Sequence, residues 1–351
     1  MRAQGSYFPI FQCPEDMPDL QGRTAIVTGG ACGIGSEIAR ALVIHKCRVI
    51  MVNVHEKQST DAVSKIRKEV GAANASLEHR YCDMTDLIQV QEVFSALCDE
   101  LSRLDLCIFG SGIDQEHFTT DLHCIDAYFG MMWLGHFYAS NLLWPLLRRT
   151  SRIPDTPAPR VIFEAPGQQR RQSLSDGSSS SDEEDLRLTA EVNSEIFRRS
   201  KTTLLLGVRH GLAERIVKRH HDNIYVLAVQ PSKNAADEAA QPRRDSHWQP
   251  SDLCDCVLDT LSKDETFAAR SSSRPVLYAA TSDDVESKYL NGAYLVDVGV
   301  SKPEKHAAAD PCLGPGFYDI SERAIKAVVG KDAMVPWDHE WVASPKPVQS
   351  S

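Results

Sequence analysis

The sequence predicts an α/β protein whose strands form a doubly wound parallel sheet within a single domain. Three observations predict it. Short apolar runs alternate with longer stretches of helical periodicity, the arrangement that puts helices on both faces of a parallel sheet. The first of these runs leads through a glycine-rich turn into a helix and then a second apolar run, a strand–helix–strand unit. The 351 residues are 42% hydrophobic and 25% charged, enough apolar material for a substantial core.

Thr24–Thr28 is the first β-rich run, Gly29 to Gly35 the turn and Ser36–Ile44 the first helix, followed by a strand over Cys47–Val54. Helical spacing returns over Asp61–Val70, and a strand ends at Cys82–Asp83. A helix over Leu87–Leu101, a strand over Leu104–Phe109 and a long helix over Met131–Arg149 come next. The pattern continues with a strand at Arg160–Phe163, a helix over Glu195–Lys218 and strands at Asn223–Gln230 and Gly292–Val296.

Three stretches interrupt this rhythm. Residues 167–190 read GQQRRQSLSDGSSSSDEEDLRLTA, too polar to bury and expected to be a disordered insert. Residues 234–250 fall where α/β enzymes carry a substrate loop. Beyond Val300 the patterning weakens, with helical spacing only at Ile320–Val329. The expected organisation is therefore a tail over 1–19, a dinucleotide-binding domain over 20–300 and a C-terminal extension over 301–351.

The glycine turn carries the clearest chemistry. Glycine lets the backbone approach a pyrophosphate without a Cβ in the way, and the helix that follows turns its N–H groups and dipole towards the charge. Thr28-Gly29-Gly30-Ala31-Cys32-Gly33-Ile34-Gly35 reads TGxxxGIG. Cys82-Asp83-Met84 follows at the end of a strand, Leu134-Gly135-His136-Phe137 lies on the long helix, and Ser200-Lys201 and Gln230-Pro231 come later in order. With these motifs the chain, from about Leu20 to Val300, resembles the short-chain dehydrogenases/reductases of the retinol-dehydrogenase-like and WW-domain-oxidoreductase-like branch.

The resemblance implies a Rossmann fold and NAD or NADP as cofactor, held by Thr28, Gly29, Gly33, Ile34, Gly35, Asp83, Gly110 and Lys201. It also implies the usual catalytic set: a Tyr that exchanges a proton with the substrate oxygen, a Lys that binds the nicotinamide ribose, a Ser that polarises the carbonyl and a relay Asn. Only the Lys is kept, as Lys201. The Tyr position, four residues earlier on the same helix face, is Phe197. The serine pair has become Ala165-Pro166, the relay Asn is Met132, the NAG turn is Gly110-Ser111-Gly112 and the final glycine of a PG pair is Ser232. Ser173, Ser175, Ser194 and Tyr138 are the hydroxyls near enough in sequence to substitute. At the end of the second strand, Asn53-Val54-His55 supplies neither the acid that holds a ribose 2′-OH nor an Arg for a 2′-phosphate.

The charge balance narrows the function. Against 38 basic residues stand 48 acidic ones, a net −10, which argues against nucleic acid as partner. No apolar run reaches the roughly 18–20 residues of a membrane span, and the N-terminus lacks a basic-then-apolar leader, so the expected location is cytoplasmic. The ten cysteines are scattered, and Cys254 and Cys256 have no second pair at zinc-ligand spacing, so no metal is expected. Within the insert, Arg170-Arg171-Gln172-Ser173 suits basophilic kinases and Ser178–Ser181 before Asp182-Glu183-Glu184-Asp185 suits acidophilic ones. Trp133 and Trp144 form an apolar stripe on the long helix that suits either the core or a homodimer interface.

The expected function is a catalytically inactive or strongly impaired relative that keeps the nucleotide fold and acts by binding a small hydrophobic ligand or a protein. Two alternatives stand beside it: an active NAD(P)-dependent oxidoreductase on a hydrophobic alcohol or ketone of steroid, retinoid or polyprenoid type, and a phospho-regulated interaction scaffold.

Overall fold

The computed structural model describes residues 16–71, 75–112, 120–165, 201–231, 269–302 and 313–340. Its elements are β1 (Thr24–Thr28), α1 (Gly33–Ile44), β2 (Arg48–Asn53), α2 (Glu56–Val70), β3 (Leu77–Tyr81), α3 (Leu87–Glu100) and β4 (Leu106–Phe109). A long helix, α4, starts at Ala127–Phe129, passes through a wide π-type turn at Gly130–Leu134 and continues over Gly135–Thr150. Then come β5 (Arg160–Glu164), a helix α5 over 201–220 with π geometry at Gly207–Lys218, β6 (Tyr225–Val229), a helix α6 over 269–281, β7 (Tyr294–Asp297), β8 (Val300–Ser301) and α7 (Leu313–Val329).

The eight strands form one sheet in the order β3-β2-β1-β4-β5-β6-β7-β8, with every pair parallel except β7–β8. This is a Rossmann-type doubly wound α/β fold. The strand order reverses between β1 and β4, and at such a switch point the loops diverge and leave a crevice at the carboxyl ends of the strands. The central strands read as continuous apolar runs because helices cover both faces. Ala25, Val27, Leu106, Ile108, Ile162, Leu227 and Val229 face the layer of α1, α2 and α6. Ile26, Cys107, Phe109, Val161, Phe163 and Val226 face α3, α4 and α5.

The sequence reading needs four adjustments. Helix α2 begins five residues earlier than its apolar spacing suggests, at Glu56, because its first turn is solvent-facing and lacks an apolar stripe. Strand β5 runs one residue further, to Glu164, whose backbone continues the ladder opposite Val229. Helix α6 was unread, because Ser271-Ser272-Ser273 and Pro275 mask its apolar face. The tail beyond Val300 holds a 17-residue helix, α7, that starts at Leu313, well before Ile320.

That tail is packed onto the core. Trp133 Nε1 donates to Ser321 Oγ of α7 at 2.9 Å. The segment after α7 crosses α4 as a strap. Asn141 donates from Nδ2 to the Val335 carbonyl and accepts the Val335 N–H, both at 2.8 Å. Arg148 donates to the carbonyls of Trp337 and His339 and pairs with Asp222 at 2.6 Å. Trp337 meets Trp144 edge-on at 5.2 Å. The Trp133–Trp144 stripe is thereby buried inside its own chain, with the two side chains 0% and 1% exposed. Among the described helices none is long and apolar enough to cross a membrane.

Candidate functional site

The site is assembled at the carboxyl ends of β1, β4, β5 and β6. It begins with Thr28, the last residue of β1, which is fully buried. Its Oγ1 accepts the N–H groups of Gly110 (3.1 Å) and Ser111 (3.2 Å), so its own proton goes to Nε2 of His136 at 3.0 Å. The other hydrogen bond of the His136 ring goes to the Met132 backbone, and burial pushes this imidazole down to about 3. A neutral histidine of α4 thus fixes the threonine that holds the turn after β4.

The glycine turn follows. Gly29 has φ +69°, and a Cβ there would lie 2.8 Å from the Gly110 carbonyl oxygen, so β1 and β4 approach closely only because both positions lack side chains. Gly35 packs on the Gly29 carbonyl, where a Cβ would come within 2.3 Å. Gly33 has φ +51° and open space around it. Helix α1 starts after Cys32 with no side-chain cap and no acidic residue in its first turn. Its leading N–H groups therefore keep their capacity for an external acceptor, and its dipole faces that acceptor unopposed. These features fit a diphosphate, and Ile34 lies half-buried against the core just inside the helix.

Along the edge, Asn53 ends β2 and donates to Gln58 Oε1 and Ser59 Oγ, both at 3.3 Å, which ties it to the first turn of α2. Asp83, just past β3, accepts from the Thr85 N–H (2.9 Å) and hydroxyl (2.8 Å) through Oδ1.

At the other end of the crevice the described positions hold no acid–base apparatus of the expected kind. Ala165 is fully buried and donates its N–H to the Val229 carbonyl. Met132 lies on the wide turn of α4, its thioether 3.9 Å from where a Gly112 Cβ would sit. Lys201, in the first turn of the described part of α5, donates from Nζ to Gln230 Oε1 at 2.8 Å. The Tyr294 hydroxyl donates to that same oxygen at 2.6 Å, and the ammonium lies 5.2 Å from the Tyr294 ring centroid. Burial pushes the Tyr294 phenol up to about 12. Tyr138 is no substitute: it is buried against the strap and donates to the Ala333 carbonyl at 3.2 Å. Phe197, Pro166, Ser173, Ser175, Ser194, Ser178–Ser181, Ser232 and the stretches 167–190 and 234–250 lie outside the described residues.

Residues 23–153 match the short chain dehydrogenase family. Over this stretch the chain is similar to the short-chain dehydrogenases/reductases. The matched stretch runs from β1 to the end of α4 and stops before the strand and helix that carry Ala165 and Lys201. The chain is similar to the WW domain-containing oxidoreductase of Drosophila melanogaster, 31% identical over 135 residues, or 38% of this chain and 33% of that protein. It is also similar to the polyprenol dehydrogenase of Danio rerio, 33% identical over 144 residues, 40% of this chain and 43% of that one. The matches thus span less than half of either relative's own length. Among solved structures, an uncharacterised protein of Mycobacterium paratuberculosis shares the fold at 21% identity, with a TM-score of 0.58 over 89% of this chain and 96% of that one.

Two features of the site have no counterpart in the sequence analysis. The Gln230–Tyr294 pair that receives Lys201 joins residues 64 apart and has no local signature. Glu164 is the second. It ends β5, its Oε1 is shut off from solvent and has no hydrogen-bond partner among the described residues, and burial pushes its carboxyl up to about 7. The residue keeps some exposed surface, but that oxygen has none. A single acidic letter directly after the apolar run Arg160–Phe163 is the available signal.

Proposed function

We propose that this chain binds NAD or NADP through its glycine turn, has little or no hydride-transfer activity, and acts by binding a ligand or a protein. One observation carries the reading: where the family's proton relay would run, Ala165 and Met132 offer no hydroxyl or amide, and the Lys201 ammonium is engaged by Gln230. Phe197, four residues before Lys201 in sequence, removes the phenol as well. A bound nicotinamide dinucleotide would supply hydride chemistry; the chain's own contribution is to hold the diphosphate on Gly29–Gly35 and the N-terminus of α1. A positioned general acid is worth about 10²–10⁴ in rate and a polarising donor about 10²–10³, and such groups act as a unit. Losing acid, polariser and relay together leaves almost nothing of the usual mechanism. Calorimetric titration with NADH and NADPH tests the binding half, and no heat at millimolar nucleotide defeats it. A turnover screen with both nucleotides on hydrophobic alcohols and ketones tests the other half.

A second reading, an active oxidoreductase on such substrates, is favoured by Tyr294, a phenol that does contact the lysine amine. Against it, that hydroxyl donates to Gln230 and holds its proton at neutral pH. Turnover abolished in both Lys201→Met and Tyr294→Phe would promote this second reading. We further propose a cytoplasmic setting in which kinases modify Ser173 and Ser178–Ser181. Each phosphate adds about −1.5 to −2 charges to an already acidic stretch, so Ser173→Glu with Ser181→Glu should change what a pull-down recovers.

A further inference from the structure

The glycine at 110 and the glutamate at 164 form one unit. Gly110 follows β4 and Glu164 ends the neighbouring β5, in the register that pairs Phe109 with Phe163. A Cβ built on Gly110 would lie 2.5 Å from Glu164 Oε1. The carboxyl therefore fills the volume that a side chain at 110 would take. Gly110 also touches Gly29 across the sheet, so the carboxyl sits against the strand ends that frame the glycine turn.

Among the described residues, no group packed around its Oε1 stabilises a negative charge. On β4 the neighbour is a glycine, on β1 the Thr28 carbonyl, 3.2 Å from that same Cβ point, and on β6 Val229. Burial is what displaces it, with no cation or hydrogen bond among the described residues set against that effect. Other titratable groups of the site face elsewhere. His136 lies under Thr28 on the opposite face of the sheet and stays neutral above its depressed value of about 3. Tyr294 and Lys201 are joined to Gln230. His55, Lys57 and Asp83 stand along the edge at β2, α2 and β3.

We propose that Glu164 is a proton-linked part of the nucleotide site: the crevice takes the nucleoside diphosphate portion of its ligand with Glu164 as the neutral acid, and binding draws a proton from solution. The proposal rests on the nucleotide-binding reading above. An anion entering beside a buried carboxyl that has no counter-ion among the described residues makes ionisation costlier still, so the bound state holds a proton that the free protein has shed at high pH. By linkage, affinity then falls as pH rises through the free protein's own titration and approaches tenfold per unit beyond it.

The test is calorimetric titration of the full chain with NADH and with NADPH at pH 6.0 and 8.5, in buffers of different ionisation enthalpy, alongside Glu164→Gln. The wild type should bind about thirtyfold more weakly at pH 8.5 than at pH 6.0 and take up close to one proton at the higher pH. E164Q should bind with affinities within about twofold at the two pH values, which separates Glu164 from His55, Lys57 and Asp83. Without ligand, E164Q should melt above the wild type at pH 8.5 and close to level with it at pH 4. Binding that is equal at both pH values, or a pH dependence that E164Q retains, overturns the proton link and leaves nucleotide binding standing. No binding by either protein at either pH overturns the nucleotide reading itself. An E164Q that melts below the wild type at pH 8.5 also overturns the proposal, because a neutral isostere should suit this pocket.

Discussion

His136 and Glu164 are buried titratable groups on opposite faces of the same strand ends, and they pull stability in opposite directions with pH. His136 is depressed to about 3 from an ordinary 6.5. Below pH 6.5 the unfolded chain therefore binds a proton that the folded chain refuses, and stability should drop by about 1.4 kcal/mol per unit towards pH 3. Chemical denaturation between pH 7 and 4 measures that slope, and His136→Gln should remove most of it. Glu164 is raised to about 7 from 4.5, so the folded state holds its proton longer than the unfolded one. Its penalty is absent below pH 4.5, grows as pH rises to about 7 and is constant above. E164Q should gain up to about 3 kcal/mol at pH 8, less whatever the open part of the side chain recovers from solvent. Gly29→Ala should lose roughly 1–3 kcal/mol, since it combines a left-handed backbone with a clash against Gly110. It should also abolish NADH binding, and a thermal melt with and without nucleotide reads both effects.

Elements differ in how openly their sequences declare them. The central strands were legible because both their faces are apolar, and α1, α3 and α4 because their apolar spacing is regular. Strand ends were less so: the apolar run stops at Phe163, but the backbone ladder does not stop at a charged side chain and continues to Glu164. Helix α7 opens LGPGFYD, a composition that looks like a turn, yet Pro315 sits in the first turn, where proline's missing N–H is no loss. For the candidate site, the glycine turn was legible in its own spacing between a strand and a helix, whereas Lys201 was reached only through the family resemblance. The partners of Lys201 and the strap on α4 depend on residues up to 195 apart, and no local pattern encodes them. The strap gives a test at this scale. Arg148 and Asp222 are 9% and 4% exposed, so Arg148→Ala strands a buried carboxylate and should lower stability by about 3–5 kcal/mol in urea unfolding.

For the whole molecule, the covered face of α4 decides what the Trp133–Trp144 stripe can do. Fifteen of the sixteen residues of Gly135–Thr150 are buried, so association through this helix requires the strap to leave. Trp337→Ala, with Trp144 uncovered, should therefore bind a hydrophobic dye and self-associate more than its parent, as light scattering would read.

Timing gives the strap a further significance. Tyr138 waits for Ala333, 195 residues later, and Asn141 for Val335, 194 residues later, before either pair can close on the ribosome. At about 5–20 residues per second that delay is on the order of ten to forty seconds, during which two tryptophans of a nascent helix lie bare. A transcript that stops short of Gly330 would never cover them, and its product should be retained by chaperones or degraded.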